Sequence, residues 1–311
     1  MAPSDETSVA LTPPAPAVAG RFPAPAVLLE LLKPVTWFAA MWAFICGAVS
    51  AGAPLADRWP LILLGMVLAG PMVCGTSQAV NDWFDRHVDA LNEPDRPIPS
   101  GRIPGRWGLG VAIVWSAASL LVAWPLGATG VVATLVALAM AWAYSAPPLR
   151  FKRNGWIGNL AVGLCYEGVP WFTGAAVLGG HLPRPAIIAV AALYSLGAHG
   201  IMTLNDFKSV DGDLASGIGS LPARLGVAKA ALVACVTMGV PQLFVAALLW
   251  GWHDHAAAIG VLVLLAAQIL LMRRLLANPR ARAPWYNATG TTLYVIGMLV
   301  AAFALAAPGA G

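Results

Sequence analysis

Long apolar stretches separated by short charged loops dominate the chain. A bilayer core of roughly 30 Å needs about 20 apolar residues in one helix. None of the stretches alternates apolar and polar residues as a barrel strand does, and helices and closed barrels are the only structures that span a bilayer. The pattern therefore predicts an all-α polytopic membrane protein with nine transmembrane helices. The nine stretches are 35–52, 60–82, 107–124, 128–145, 157–178, 186–205, 228–250, 256–273 and 289–307.

The composition supports a membrane protein. Of the 311 residues, 59% are hydrophobic and 10% are charged, and the mean hydropathy is +0.74. Soluble domains carry about 25% charged residues. Residues 1–25 are rich in Ala and Pro and are predicted to be a disordered cytoplasmic tail, because such a segment cannot build a packed core. Residues 26–311 are predicted to form one membrane domain.

The positive charges are strongly asymmetric. Sixteen of the 18 Lys and Arg residues fall in segments on the side of the N-terminal tail, and only Arg58 and Arg184 fall on the other side. Cytoplasmic loops carry the excess of Lys and Arg, so the N-terminus is predicted to be cytoplasmic and the C-terminus to lie on the outer side of the membrane. The net charge of +4 gives no indication of a nucleic acid partner.

A group of carboxylates closes the second apolar stretch. Asp82, Asp85 and Asp89 follow Asn81 with helical spacing. At about 100° per residue, the four side chains share one arc of a helix. Unpaired carboxylates at the rim of an apolar helix repel one another. Mg²⁺ relieves the repulsion, because it takes oxygen ligands and keeps coordination positions for substrate phosphates. The pattern predicts a Mg²⁺ site, with a solvated helix end as the alternative.

A second acidic stretch, residues 205–213, follows the first by 124 positions and also ends an apolar segment. If the helix continues, His199, Asp206 and Asp213 share one face, whereas Asp211 lies well off it. The stretch therefore predicts a second half of the same metal site. It does not decide which of its aspartates binds the metal.

The two acidic stretches each run into a loop rich in Gly and Pro, at residues 96–102 and 219–226. They are interpreted as halves of a weak internal repeat. Gly212 is expected to break the helix within the second half.

Cations lie between the two acidic stretches. Pro147 and Pro148 end the fourth apolar stretch, and Arg150 and Lys152 follow. With Tyr144 before them, these side chains are placed to bind a diphosphate. Ordinary topology-setting cations and an interfacial tyrosine are the alternative.

Two polar residues lie inside apolar stretches. His199 either ligates a metal or a substrate, or is a structural histidine with satisfied hydrogen bonds. Glu167 is costly to bury, so the default hypothesis is that it has a polar partner or a role in binding the acceptor substrate.

Three segments carry a specific resemblance. They are NDWFDRHVDALNEPDRPIPSGRIPGRWGL from residue 81, YSAPPLRFKRNGWIGNLAVGLCYEGVPWFTGAAV from residue 144, and GAHGIMTLNDFKSVDGD from residue 197. They resemble the UbiA-type intramembrane prenyltransferases, within them the branch that acts on chlorophyll and bacteriochlorophyll precursors. The resemblance covers roughly residues 30–307.

The resemblance implies nine transmembrane helices around a central cavity open to the cytoplasmic side, and Mg²⁺ as cofactor. It implies transfer of a C20 prenyl group, geranylgeranyl or phytyl, from its diphosphate to the propionate carboxylate of bacteriochlorophyllide. With the charge distribution, the resemblance implies a multi-pass protein of a bacterial inner membrane, either cytoplasmic or intracytoplasmic photosynthetic, with a periplasmic C-terminus. Pigment-assembly proteins are a further class of partner beside the lipid bilayer. Chlorophyllide, or a haem or quinone precursor, remains an alternative acceptor. A membrane transporter or lipid carrier is the non-enzymatic alternative. A transporter would place its acidic residues near the middle of the bilayer, whereas here they cluster at one membrane face.

The expected site residues form three groups. Catalysis is assigned to Asp82, Asp85, Asp206 and Lys152. Metal binding is assigned to Asp82, Asp85, Asp89, Asp206, Asp211 and Asp213. Substrate binding is assigned to Asn81, Arg96, Arg102, Tyr144, Arg150, His199, Asn205 and Lys208.

Overall fold

The structure, a computed structural model, describes residues 22–307. Most of the predicted disordered tail, residues 1–21, lies outside the described residues. The described chain is almost entirely helical. Its α-helices are α1 (Pro25–Leu32), α2 (Trp37–Ser50), α3 (Trp59–Val67), α4 (Gly75–Asn92), α5 (Trp107–Ala123), α6 (Gly127–Ser145), α7 (Gly155–Gly163), α8 (Val169–Gly179), α9 (Pro185–Asn205), α10 (Val210–Ser216), α11 (Leu221–Leu225), α12 (Val227–Gly251), α13 (His255–Ala277) and α14 (Pro279–Ala306).

Eight stretches of the described chain are long and apolar enough to cross a membrane. One of them, Trp107–Ser145, has 39 residues. A single helix of that length would measure roughly 58 Å, about twice the bilayer core. It is instead a hairpin of α5 and α6, since Gly127 takes a φ of 76° and Trp142 Nε1 donates to Ser116 Oγ at 3.1 Å. The all-α membrane class is confirmed. The predicted number of nine transmembrane helices is reached when α5 and α6 are counted as separate spans.

Two spans contain a wide helical turn. A π-helical segment, Leu68–Cys74, joins α3 to α4, and another, Leu164–Gly168, joins α7 to α8. Pro71 lies inside the first and Pro170 follows the second. Because proline has no N–H and its ring crowds the preceding turn, the regular hydrogen-bond ladder cannot continue there. The apolar pattern alone predicts unbroken helices at both places.

Small residues allow the helices to pack closely. A Cβ at Gly47 of α2 would lie 2.0 Å from the carbonyl oxygen of Trp171 in α8. A Cβ at Gly174 would lie 2.2 Å from the carbonyl oxygen of Phe44. The two backbones therefore touch, as is typical of helices that associate through small residues in membranes. The principal core lies among α2, α8, α9, α12, α13 and α14.

One end of the bundle collects the polar loops. The turn Phe151–Arg153 precedes α7 and pairs with the loop after α10, where Gly155 N donates to Gly219 O at 2.8 Å. A Cβ at Gly155 would lie 2.7 Å from the Leu221 nitrogen, so only glycine allows this approach. The loop of the second acidic stretch is thereby fixed beside the turn that carries Lys152.

The expected helix break at Gly212 is wrong. Gly212 lies inside α10, and the interruption comes earlier, at the 3₁₀ turn Asp206–Lys208. A Cβ on Gly212 would lie 3.1 Å from Asn92 Nδ2. The glycine therefore lets α10 pack closely against the end of α4.

Candidate active site

A polar cavity lies at this end of the bundle, bounded by α4, α6, α7 and the second acidic stretch. It has about 550 Å³ of space, part of which is open to solvent. The two acidic stretches, 124 positions apart in sequence, contribute to the same wall. The lining residues are Asn81, Asp85, Tyr144, Lys152, Gly155, Gly158, Asn159, Asp206, Ser209, Asp213, Ile218 and Ser220.

Asp85 is the centre of a cationic cluster in this cavity. Lys152 Nζ donates to Asp85 Oδ1, and Arg150 Nη2 donates to the same oxygen at 3.4 Å. Burial lowers the pKa of Lys152, whereas the Asp85 carboxylate acts in the opposite direction. Arg150 has a left-handed backbone with φ 40°, an unfavourable conformation for a non-glycine residue. Strain of this kind is typical of functional sites, where the surrounding structure holds the residue in place.

The second acidic stretch supplies two carboxylates to the same cavity. Asp206 Oδ2 accepts from Asn159 Nδ2 at 3.4 Å. Asp213 Oδ2 accepts from Ser220 Oγ at 2.6 Å and from Ser209 Oγ at 3.1 Å. Burial raises the pKa of Asp213, and the two serine hydrogen bonds oppose that shift. Within the described part of the chain, both carboxylates therefore face the cavity with neutral donors and have no salt-bridge partner.

Asp82 and Asp89 form a separate network beside the cavity. Lys33 Nζ donates to Asp82 Oδ1 at 2.6 Å, and Arg96 Nη1 lies 2.9 Å from Asp89 Oδ2 and 3.4 Å from Asp82 Oδ1. Asp82 is 1% exposed, and its Oδ2 has no hydrogen-bond partner among the described residues. The carboxylates Asp82, Asp89 and Glu93 raise the pKa of Arg96, against the effect of burial.

Asp82 should matter to stability as well as to chemistry. Replacing it by asparagine leaves Lys33 and Arg96 without their shared carboxylate. A hydrogen bond to a charged group contributes roughly 1.5–3 kcal/mol. We expect Asp82→Asn to lower the free energy of unfolding by about 2 kcal/mol, measured by detergent-compatible thermal unfolding. The double variant Lys33→Met with Asp82→Asn should lose less than the sum of the single variants, and strict additivity would contradict the pairing.

An apolar space adjoins the polar cavity and shares Tyr144 with it. It lies among α2, α4, α6 and α7 and has about 410 Å³ of space, part of which is open to the surroundings. A third space of about 350 Å³, also partly open, shares Ala69, Val73, Ala137 and Cys165 with it. The polar cavity thus borders on a run of apolar spaces.

The structure places seven of the fifteen expected site residues at the cavity, and Asp82, Asp89 and Arg96 form the network beside it. Asn81, Asp85, Tyr144, Lys152, Asp206 and Asp213 line the cavity, and Arg150 contacts Asp85. Four others lie elsewhere, because each has a different neighbour or faces outward. Asp211 is exposed and pairs with Arg280, and Arg102 pairs with Glu30 at 2.5 Å. Asn205 Oδ1 accepts a hydrogen bond from Asn287 Nδ2 at 2.7 Å. Lys208 is exposed.

His199 and Glu167 also lie outside the cavity wall. The His199 ring contacts the Trp156 indole, with centroids 5.4 Å apart. Glu167 is 3% exposed within the π-helical turn and does not line the polar cavity. The structure therefore gives no contact between either side chain and the clustered carboxylates.

Four polar residues of the site are absent from the predictions. Lys33, Asn159, Ser209 and Ser220 bind the carboxylates directly. Asn159 was detectable, since it is the one amide in an otherwise apolar stretch and a polar group inside a membrane is typically functional. Lys33 was not, because its approach to Asp82 depends on how α1 folds back onto α4.

The oxygen donors in the cavity suit a hard cation such as Mg²⁺. Asp85, Asp206 and Asp213 face it together with the Asn81 amide, and Asp82 keeps one unpartnered oxygen nearby. Within residues 22–307, no three His, Cys, Asp or Glu side chains converge closely enough to surround one metal ion. The carboxylates fit a site shared between metal and phosphate oxygens better than an all-protein cage.

Comparisons with known proteins agree on one family. The model of the UbiA prenyltransferase family matches residues 36–293. The chain is 58% identical to the bacteriochlorophyll synthase 33 kDa chain of Cereibacter sphaeroides, over 91% of this chain and 94% of that protein. It is 46% identical to the 34 kDa chain of Chloroflexus aurantiacus, over 90% of each. The chloroplastic chlorophyll synthase of Oryza sativa is 36% identical, over 89% of this chain and 76% of that one.

Solved structures with lower sequence identity to this chain share its fold. A digeranylgeranylglyceryl phosphate synthase superposes with a TM-score of 0.66 at 19% identity, over 89% of this chain and 98% of that one. A UbiA homologue from Archaeoglobus fulgidus, bound to GPP and Mg²⁺, superposes with a TM-score of 0.60 at 21% identity, over the same shares. These likenesses establish the architecture of the bundle.

Proposed function

The chain belongs to the UbiA prenyltransferase family, and on this premise we propose that it transfers a C20 prenyl group from a prenyl diphosphate to the propionate carboxylate of bacteriochlorophyllide. The high identity to the bacteriochlorophyll synthase chains supports this acceptor over a haem or quinone precursor. The proposed donor is geranylgeranyl diphosphate or phytyl diphosphate.

The proposal rests mainly on one observation. Two acidic stretches far apart in sequence line one polar cavity, and that cavity shares Tyr144 with an apolar space. A prenyl diphosphate has the same division into a charged head and a hydrocarbon tail. A transporter would need acidic groups along a pathway through the membrane. The clustering at one end of the bundle favours an enzyme.

The cavity residues act on the departing diphosphate. Lys152 and Arg150 supply positive charge where negative charge accumulates as the allylic C–O bond breaks. Bound Mg²⁺, held by Asp85, Asp206 and Asp213, would neutralise further charge on the phosphate oxygens. The apolar space excludes water from the allylic cation.

The acceptor completes the reaction without a general base. A propionate has a pKa near 4 in water and is ionised at neutral pH. One of its oxygens forms the new C–O bond to the prenyl carbon, while diphosphate leaves with the electron pair of the broken bond. No proton is transferred, so the lack of a His or Cys dyad in the cavity suits this chemistry.

We propose that the cavity faces the cytoplasm, with an N-terminus on the same side and a C-terminus in the periplasm. The support is the excess of Lys and Arg in the segments that also carry the acidic stretches. Pigment-assembly proteins remain proposed partners, and the bilayer surrounds the apolar helices.

The product identifies the activity. Purified protein in nanodiscs is incubated with geranylgeranyl or phytyl diphosphate and with bacteriochlorophyllide or chlorophyllide, and the esters are identified by mass. We expect bacteriochlorophyllide ester, its formation stopped by EDTA and restored by Mg²⁺. Ester formation that resists the chelator would contradict the metal assignment. If no combination gives an ester, the enzymatic proposal fails.

The apolar space offers a direct test of where the prenyl chain binds. Cys165 lines that space and is partly accessible, whereas Cys235 is buried among α12 and its neighbours. We expect geranylgeranyl diphosphate with Mg²⁺ to slow alkylation of Cys165 by a membrane-permeant maleimide about tenfold, because an occupied site reacts only when ligand leaves. Mass spectrometry of each cysteine gives the rate. Equal protection of Cys235, or none of Cys165, would contradict this placement.

A further inference from the structure

His199 in α9 is a buried imidazole whose ring nitrogens lack a hydrogen bond of normal geometry among residues 22–307. The residue is 6% exposed. Leaving a buried polar group unpartnered is unfavourable, and native structures rarely do so without a reason. The observation favours a ligand-binding role over a purely structural one.

An aromatic neighbour contacts the ring. The Trp156 indole is tilted against the imidazole, at an interplanar angle of 33° and with centroids 5.4 Å apart. Trp156 is 45% exposed, so the buried imidazole is in contact with a residue at the surface of the bundle.

His199 lies between two features on one stripe of α9. Four residues before it, Ser195 lines an open apolar cleft bounded by α6, α8 and α9, with about 1120 Å³ of space. Seven residues after it, Asp206 lines the polar cavity. At 1.5 Å per residue, His199 is roughly 10 Å from Asp206 along the helix axis. The imidazole is therefore placed between an apolar cleft and the site of chemistry.

The acceptor of the proposed function matches these features. It is a flat apolar macrocycle with a central magnesium and a short propionate arm. The four ring nitrogens leave an axial position on that metal, and a neutral imidazole nitrogen is a common metal ligand in proteins. We propose that His199 is the axial ligand of the acceptor's magnesium, with the macrocycle against the cleft and its propionate directed towards the Asp206 end of α9. This inference rests on the proposed function.

A metal-free acceptor provides the test. Binding of bacteriochlorophyllide and of its magnesium-free analogue to nanodisc-embedded protein is measured by fluorescence titration without prenyl diphosphate. We expect the wild type to bind the magnesium form about tenfold more tightly, and His199→Leu to bind both forms equally. In His199→Gly, added imidazole should restore the preference. The absorption band that reports magnesium coordination should shift on binding to the wild type and not to His199→Leu.

The controls separate this inference from the proposed function. His87→Leu changes an exposed histidine outside the cavity wall and should keep the wild-type preference. A loss of folding in His199→Leu would weaken binding of both pigment forms, so the ratio of the two affinities isolates the metal contact. If the ratio of the two affinities is unchanged in His199→Leu while the wild type still forms ester, the proposed role of His199 is overturned and the proposed function is not affected. If the wild type neither binds nor esterifies the pigment, the proposed function fails and this inference fails with it.

Discussion

Asp85→Asn is expected to lower turnover by about 10³-fold, because one oxygen of Asp85 accepts from both Lys152 and Arg150 and the same carboxylate is a proposed metal ligand. The amide keeps the size of the side chain but removes its charge. Measurement of kcat in nanodiscs, with thermal unfolding alongside, separates lost chemistry from lost folding.

Asp211→Asn is the matched control for this change. It alters the charge of another aspartate of the acidic stretches, but Asp211 is exposed and pairs with Arg280 at the surface. Surface ion pairs contribute little, so we expect activity within about twofold of wild type. Near-normal turnover in Asp85→Asn, or a large loss in Asp211→Asn, would show that the cavity is not where the reaction occurs.

Lys152→Met is expected to lower kcat by about 10²-fold, since it removes a buried cation aimed at the leaving diphosphate. Methionine retains the apolar stem of the side chain, so packing changes little. The neighbouring Arg153→Met, in the same turn but exposed, should keep wild-type kcat. The comparison of the two variants in steady-state assays distinguishes a positioned cation from general positive charge at the membrane surface. Equal losses would contradict a specific role for Lys152.

The membrane class followed from the apolar pattern, because the bilayer constrains helix length so strongly. The π-helical turns did not, since they depend on how Pro71 and Pro170 disrupt backbone hydrogen bonds that hydropathy does not report. The turn that separates α5 from α6 was predicted correctly, as a gap of three residues between two apolar stretches.

The acidic stretches were predicted with different success. Asp85 lines the cavity as expected, because α4 continues unbroken through its motif. Helical angles also placed Asp206 and Asp213 together and Asp211 apart, although the chain between them turns through a 3₁₀ segment. The helical angles did not reveal that Asp82 and Asp89 would bind Lys33, at the end of α1, and Arg96, in the loop after α4. Such contacts arise between segments distant in sequence, which periodicity cannot report.

The central claim is that the two acidic stretches hold one metal-bound diphosphate between them. The most direct measurement is the affinity of purified protein for geranylgeranyl diphosphate with and without Mg²⁺, in wild type, Asp85→Asn and Asp206→Asn. We predict that Mg²⁺ tightens binding to the wild type at least about tenfold and that each single variant loses this effect. If Asp206→Asn retains the full effect of Mg²⁺, the second stretch does not share the site and the account is contradicted.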